Sequence, residues 1–303
     1  MEADRLTSAE GKRTLAIAAL LAGATCIGTS ALWVKMSEAG PVSTAFWRVF
    51  LALPFLWAWA WWAGRGVSAP ASHSRGLLFG AGFFFAGDLA VWHWSIVLTS
   101  VANATLLANL APIFVTLAAW LLFLHRPTGL FLGGLATALV GVVMLIGGDF
   151  SSTGAARTGD ALGVITAMFY AAYQLTVTRL RSSFSTARIM AVSSVVTAAM
   201  LLPLAWFSSE TFFPSTSAGW GKVFGLALIS QVAGQSLIAY AMAHLPATVS
   251  SVGLLLQPVM AGLFAWLLLG ETLSAVAIAG AVLVLIGIRT ATTAELKKTL
   301  KNS

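Results

Sequence analysis

The sequence predicts an all-α integral membrane protein with ten transmembrane helices, built as two inverted five-helix repeats. Three observations carry that prediction. Of the 303 residues, 58% are hydrophobic and only 9% are charged, whereas soluble domains carry about 25% charge. Apolar runs long enough to cross a bilayer, roughly 20 residues each, recur along the chain between short breaks containing Gly, Pro and charge. Sliding the chain against itself by 146 residues brings Pro112 onto Pro258, Leu117 onto Leu263, Ala119 onto Ala265 and Trp120-Leu121-Leu122 onto Trp266-Leu267-Leu268. The composition excludes a soluble fold, and ten spans leave no length for a soluble catalytic domain.

The spacing of apolar runs predicts helices over 14–34, 42–63, 75–98, 102–124, 128–147, 159–179, 187–207, 218–243, 247–269 and 273–290. The first run follows Lys12 and Arg13 as a signal peptide would. Its length and its likeness to the other nine runs mark it as a retained span. The breaks are Gly64-Arg65-Gly66 with Pro70, Arg126-Pro127, Ser151 to Gly159, Arg179 to Arg188, Pro214 to Ser217, and Gly270-Glu271. Each couples a turn former to polar groups that stay in water.

With a cytoplasmic N-terminus, the cytoplasmic segments hold Arg5, Lys12, Arg13, Arg65, Arg75, Arg126, Arg179, Arg181, Arg188, Arg289, Lys297, Lys298 and Lys301. The other side holds Lys35, Arg157 and Lys222, and Arg48 sits within the second run. This 13-to-3 division accounts for all 17 basic residues and predicts that both termini are cytoplasmic. The net charge of +7 therefore reads as topology, not as a nucleic-acid footprint. Tryptophans agree: Trp57, Trp59, Trp61 and Trp62 cluster at the inner end of the second run, and Trp33, Trp47, Trp206, Trp220 and Trp266 fall near outer ends, as interfacial anchors do. Trp92 and Trp94 lie deeper and are candidates for a cavity wall.

The internal repeat divides the chain into a first five-helix unit over 1–150 and a second over 151–303. Five spans per unit is an odd number, so the second unit enters the membrane from the opposite side. Inverted repeats of this kind are the usual construction of alternating-access carriers. The stretches Ala111-Pro-Ile-Phe-Val-Thr-Leu-Ala-Ala-Trp-Leu-Leu-Phe-Leu and Leu256-Gln-Pro-Val-Met-Ala-Gly-Leu-Phe-Ala-Trp-Leu-Leu-Leu-Gly-Glu-Thr-Leu resemble the paired motifs of the drug/metabolite transporter superfamily, in its ten-helix EamA-type exporter form. The proline, the Gly270-Glu271 pair and the glycine-spaced helix after it carry most of the likeness. Within that group the chain is similar to aromatic amino-acid exporters, which implies amino-acid export. The resemblance also implies a bacterial inner (plasma) membrane. One departure is visible: the first half has Leu124-His125 where the second has Gly270-Glu271.

Asp88 is the only acidic residue deep inside a span, about 20 Å from the cytoplasmic end of the third helix at 1.5 Å per residue. A carboxylate at that depth faces water, a partner or a proton. His93 is five residues on and either contacts substrate or bonds a neighbouring carbonyl. Asp88 and Trp92 share a helix face, as do Gln231 and Gln235. The candidate substrate cavity comprises Asp88, Trp92, His93, Asn109, Tyr170, Tyr173, Gln174, Gln235 and Gln257. Amides and aromatics converging in this way suit a zwitterion with an apolar side chain, although each amide alone equally serves to stitch helices together. Ser250, Ser251 and Asn103 are further polar residues inside spans. Arg48 is placed as a snorkelling side chain reaching the outer surface, with a substrate carboxylate as its other possible partner.

Pro112 and Pro258 each remove a backbone donor and are candidate gating hinges or static kinks. Gly76-x-x-x-Gly80, Gly129-x-x-x-Gly133, Gly159-x-x-x-Gly163 and Gly221-x-x-x-Gly225 permit close helix approach. Asn103-Ala-Thr105 matches a glycosylation acceptor, but its place at a membrane edge makes the match accidental. Cys26 stands alone, which excludes an intramolecular disulfide or a thiolate metal cluster. No phosphate-binding loop, zinc-protease helix or serine-hydrolase elbow is present. No cofactor or metal is expected, and the partners are a small-molecule substrate and the lipid bilayer, not nucleic acid.

The combined reading is a secondary transporter, not an enzyme, that exports small metabolites by alternating access. Amino acids with aromatic or other bulky side chains are the expected cargo. A drug or nucleotide-sugar carrier of the same fold is one alternative, and a membrane-embedded enzyme is another. A nucleotide sugar would want several cations at mid-membrane, where only Arg48 approaches.

Overall fold

The computed structural model describes residues 2–64, 73–147, 154–181, 183–270 and 272–302. Among these residues, ten helices are long and apolar enough to cross a membrane: Gly11–Lys35, Pro41–Ala63, Arg75–Leu98, Ala102–Leu122, Gly129–Ile146, Gly154–Leu180, Thr186–Phe207, Ser217–Ala241, Ala247–Leu269 and Ala275–Lys298. They are called here the first to tenth spans. Three boundaries depart from the sequence reading. The first helix begins at Glu2, the sixth span starts earlier, at Gly154, and the tenth helix runs on to Asn302. Its extension Ala-Glu-Leu-Lys-Lys consists of good helix formers, so the helix continues past the apolar run.

The internal repeat is visible in backbone detail. The fourth span is two helices, Val101–Ala108 and Ala111–Phe123, and the ninth is Ala247–Gly253 and Leu256–Leu269. Pro112 and Pro258 therefore occupy the first turn of a new helix, where an amide has no intrahelical acceptor, so each proline tolerates its position without kinking a continuous rod. Both second pieces end on a left-handed residue, Leu124 at φ 55° and Gly270 at φ 67°. The Leu124-His125 departure thus changes the side chains but not the turn: the His125 amide donates to the Ala119 carbonyl at 3.0 Å, closing the helix as a C-terminal cap does. His125 itself pairs with the buried Glu295 of the tenth helix, and Lys298 donates to the Arg126 carbonyl. Glu271 lies outside the described residues.

Helices in lipid gain little from the hydrophobic effect, because lipid tails are as apolar as leucine; close backbone approach and hydrogen bonds hold them instead. The fifth and tenth spans show this best. A Cβ on Gly141 would lie 2.6 Å from both the Gly280 carbonyl oxygen and the Val284 nitrogen, and one on Gly280 would lie 2.6 Å from the Gly141 oxygen and the Leu145 nitrogen. Gly134 and Gly287 make the corresponding contact one step along. Under the 146-residue shift Gly134 maps to Gly280 and Gly141 to Gly287, so the crossing is symmetric and the repeat's pseudo-twofold axis passes through it. Of the four pairs with x-x-x spacing singled out from sequence, only Gly159 and Gly163 both meet another segment, at the connection residue Thr99 and at Leu107 of the fourth span; Gly76, Gly129, Gly133 and Gly221 face open space.

The eighth span contains a nine-residue π-helix, Ala227–Gln235, between α-helical ends. It lies where Gly234 meets Cys26 and Ile27 of the first span and where Ser30 donates to Ser230 at 2.8 Å. Such wide turns re-aim side chains and recur at functional sites.

Candidate functional site

A cavity of about 200 Å³ lies inside the bundle. Its walls come from both halves: Ser30 and Val34 of the first span, Ala45 and Arg48 of the second, Phe85, Asp88, Leu89, Trp92 and His93 of the third, Thr105 and Asn109 of the fourth, Thr166 and Tyr170 of the sixth, Leu226 and Gln235 of the eighth, and Gln257, Pro258 and Ala261 of the ninth. These positions run from midspan toward the end of the bundle that holds the connections at 36–40, 99–100 and 208–216. At the end bearing both termini the bundle is sealed by one buried apolar cluster including Leu20, Leu56, Val177, Leu180, Met190, Met242, Leu245 and Val249. The cavity therefore lies in the part of the bundle away from the termini.

Polar groups are distributed unevenly around the wall. Arg48 is buried at 8% exposure, and its Nε donates to Gln231 Oε1 at 3.2 Å; the Gln231 amide in turn donates to Ser194 Oγ at 3.4 Å. This overturns the snorkelling placement expected for Arg48. Seven residues into its helix, its side chain turns inward because the π-helical turn of the eighth span presents Gln231, and because Asp88 lies within electrostatic reach. The cavity thus holds one basic and one acidic side chain, on the second and third spans, a compensation that reduces the cost of keeping either away from water.

His93 Nδ1 contacts the Leu89 carbonyl at 2.5 Å. That geometry puts the proton on Nδ1, and Nε2 is buried with no protein partner. Its ring meets Trp92 edge-on at 5.0 Å. Gln235 Oε1 and Gln257 Nε2 also lack protein partners, while Tyr170 is within hydrogen-bonding reach of Gln257. A donor, an acceptor and an imidazole nitrogen are therefore left unsatisfied in the wall, and buried polar atoms of this kind call for a complement.

Seven of the nine cavity residues named from sequence line this space: Asp88, Trp92, His93, Asn109, Tyr170, Gln235 and Gln257. Two do not. Tyr173 lies behind the wall, stacked on Phe85 at 4.9 Å and on Tyr170 at 6.2 Å, with its hydroxyl 3.9 Å from Met190 Sδ. Gln174 is buried one position further round the same helix. The reason is periodic: Thr166 and Tyr170 are four apart and share the facing stripe, whereas 173 and 174 rotate toward the neighbouring helices. Of the two prolines, Pro258 lines the cavity and Pro112 does not. Trp94 is half exposed on the outer surface of the bundle, away from the cavity. Sequence reasoning missed Ser30, Thr105 and Thr166, whose hydroxyls are unremarkable inside an apolar run. Asn103 is fully buried, its amide reaching Asp160 Oδ1 at 3.4 Å, so the glycosylation match is structural. Among the described residues no cluster of three or more metal-ligating side chains occurs.

Comparison with known proteins decides the family. The family model described as the EamA-like transporter family matches residues 14–147 and again 157–293. The chain belongs to the EamA-like transporter family. Two matches in tandem are the internal repeat seen from outside, and with them the drug/metabolite transporter resemblance read from the proline motifs holds. An EamA-like relative, an uncharacterised transporter of Archaeoglobus fulgidus, is 25% identical over 249 residues, covering 78% of this chain and 83% of that protein. The pseudopaline exporter CntI of Pseudomonas aeruginosa is 26% identical over 198 residues, covering 65% of this chain and 68% of the exporter. A solved crystal structure superposes with a TM-score of 0.76 at 19% identity, over 92% of this chain and 96% of that one, which shows a shared fold.

Proposed function

We propose that this EamA-like transporter is a secondary carrier that exports amino acids with aromatic or other bulky side chains, by alternating access between its two halves. One observation carries the reading: a cavity lined by both halves holds Arg48 and Asp88 within electrostatic reach of each other, with amides and aromatic faces in the same wall. A zwitterion supplies the matching carboxylate and ammonium and leaves the cavity's net charge unchanged. Trp92, Phe85 and Tyr170 then cover an apolar side chain. A diphosphate would bring two or more negative charges to a cavity wall with one basic side chain. A relative named as a pseudopaline exporter supports outward movement of a metabolite.

The reading extends to orientation. In this reading both termini lie in the cytoplasm and the protein sits in the inner membrane, which the 13-to-3 division of basic residues supports for the termini. The cavity, displaced from the end that bears the termini, then lies toward the outer side of the membrane.

Uptake of labelled tryptophan, phenylalanine and tyrosine into proteoliposomes, competed by a panel of unlabelled amino acids and by nucleotide sugars, tests the cargo. Competition by aromatic amino acids is expected; competition by nucleotide sugars with none by amino acids overturns the reading. A reporter active only outside the cytoplasm, fused after Ser303, is expected to stay silent. A signal there overturns the orientation.

A further inference from the structure

A second concavity, of about 330 Å³, lies at the end of the bundle that bears the termini. Its walls are the last turns of the second span, with Trp57, Trp61 and Gly64, and the first turns of the seventh, with Phe184, Ser185 and Arg188. It is separate from the transport cavity, shares no residue with it, and opens on the outer surface of the bundle.

Three features meet there. Arg188 is exposed and its guanidinium stands over the Phe184 ring, 5.7 Å from the centroid. Among the described residues no carboxylate pairs with it. The ring holds the cation in place from beneath and leaves its N–H groups directed elsewhere. The seventh span begins at Thr186, where Ser185 accepts from the Arg188 amide at 3.3 Å; the positive end of a 22-residue helix therefore faces the same space. A second guanidinium, that of Arg181, is tied to the Phe184 carbonyl at 2.6 Å and adds positive charge to the same loop.

The opposite wall is apolar and aromatic. Trp57 is 49% exposed and Trp61 67% exposed, large areas to leave uncovered by protein. Indoles sit by preference at the headgroup layer, so a basic, donor-rich wall faces an aromatic one at the depth where phosphodiesters meet acyl chains.

We infer that this groove seats one anionic phospholipid, with its phosphodiester on Arg188 and the start of the seventh helix and its glycerol and upper acyl chain against Trp57 and Trp61. The charge on the wall selects the anionic headgroup, and the tryptophans select a lipid over a free phosphate. Because one wall belongs to the first half of the chain and the other to the second, the lipid bridges the two units that move past each other in the transport cycle. The lipid site itself does not depend on the identity of the cargo.

The test is native mass spectrometry of the purified full chain in detergent with added phosphatidylglycerol or phosphatidylcholine, and with inorganic phosphate as a separate arm. The unaltered protein is expected to retain one phosphatidylglycerol in preference to phosphatidylcholine, to lose it as salt rises, and to hold no phosphate alone. Arg188→Gln should weaken that retention about fivefold, the effect of one basic residue at a membrane surface. Arg188→Lys should restore most of it, and Arg289→Gln, an exposed arginine on another helix, should leave it unchanged. Equal retention of both lipids by the unaltered protein overturns the site without any variant being needed. Retention undiminished in Arg188→Gln, equal loss in Arg289→Gln, or phosphate binding as tight as lipid binding overturns it as well.

Discussion

Replacing Gly141 with alanine should weaken the contact on which the two halves meet. The new Cβ would sit 2.6 Å from the Gly280 oxygen and the Val284 nitrogen. Both are backbone atoms of the tenth helix and cannot rotate aside. Retreat to an ordinary 3.4 Å contact needs a shift of about 0.8 Å of one helix from the other. A gap of that size forfeits a quarter to a half of each 0.1–0.2 kcal/mol atom contact, so about 50 atom pairs lose ~2 kcal/mol together. Alanine gains up to ~1 kcal/mol over glycine in helix propensity, leaving a net loss of ~1 kcal/mol. Gly133→Ala, on the same helix with nothing within 4 Å of the added Cβ, collects only the gain. The two variants should therefore differ by ~2 kcal/mol in equilibrium unfolding by sodium dodecyl sulfate in mixed micelles. Gly287→Ala, which meets the backbone at Ala138, should follow Gly141→Ala. If Gly141→Ala unfolds no more easily than Gly133→Ala, close backbone approach is not what joins the fifth and tenth spans.

Leu124→Gly should stabilise the protein by ~1 kcal/mol in the same assay, because the left-handed conformation at φ 55° costs a leucine about that much and costs glycine nothing; an unchanged midpoint would show that the side chain compensates. Glu38, outside the spans, is held down to a pKa of about 2 from 4.5 by hydrogen bonds from the Thr216 and Ser215 side chains and from their amides. Its stabilising effect is therefore complete above about pH 4.5 and is lost as pH falls toward 2. Glu38→Gln should remove that component of the acid dependence of melting, and an identical acid profile in the variant would rule it out. With Asp88 as the proton-carrying group of the proposed carrier, Asp88→Asn should abolish uphill transport of the proposed amino-acid cargo driven by a pH gradient while sparing exchange, measured in proteoliposomes; undiminished uphill transport by the variant would exclude Asp88 as a coupling group, and a parent protein indifferent to the gradient would exclude proton coupling.

Chain-level architecture was legible because it follows from properties that act one segment at a time. Twenty apolar residues must form a helix in a bilayer, since any other backbone leaves amides unpaired. The repeat was legible from Pro112 and Pro258 because both halves need a break at the same depth. Of the site, Asp88, Trp92 and His93 were accessible to reasoning along a single helix: an acid that deep must face a cavity, and i, i+4 periodicity carries Trp92 with it.

What depended on the tertiary structure was every relation between helices. Arg48 read as a snorkelling side chain until the π-helical turn of the eighth span was seen to bring Gln231 to it; a one-residue widening of a turn leaves no mark on hydropathy. Tyr173 and Gln174 carry the same chemistry as Tyr170 and Gln257, and only the rotation of the sixth helix against its neighbours puts them behind the wall. The x-x-x glycine spacing pointed to pairs that mostly face lipid, while the glycines that join the halves, Gly134, Gly141, Gly280 and Gly287, are seven apart. A sequence records that a helix can be approached closely. Which face is approached is decided by how ten such helices share the available backbone contacts, and that is a property of the assembled bundle.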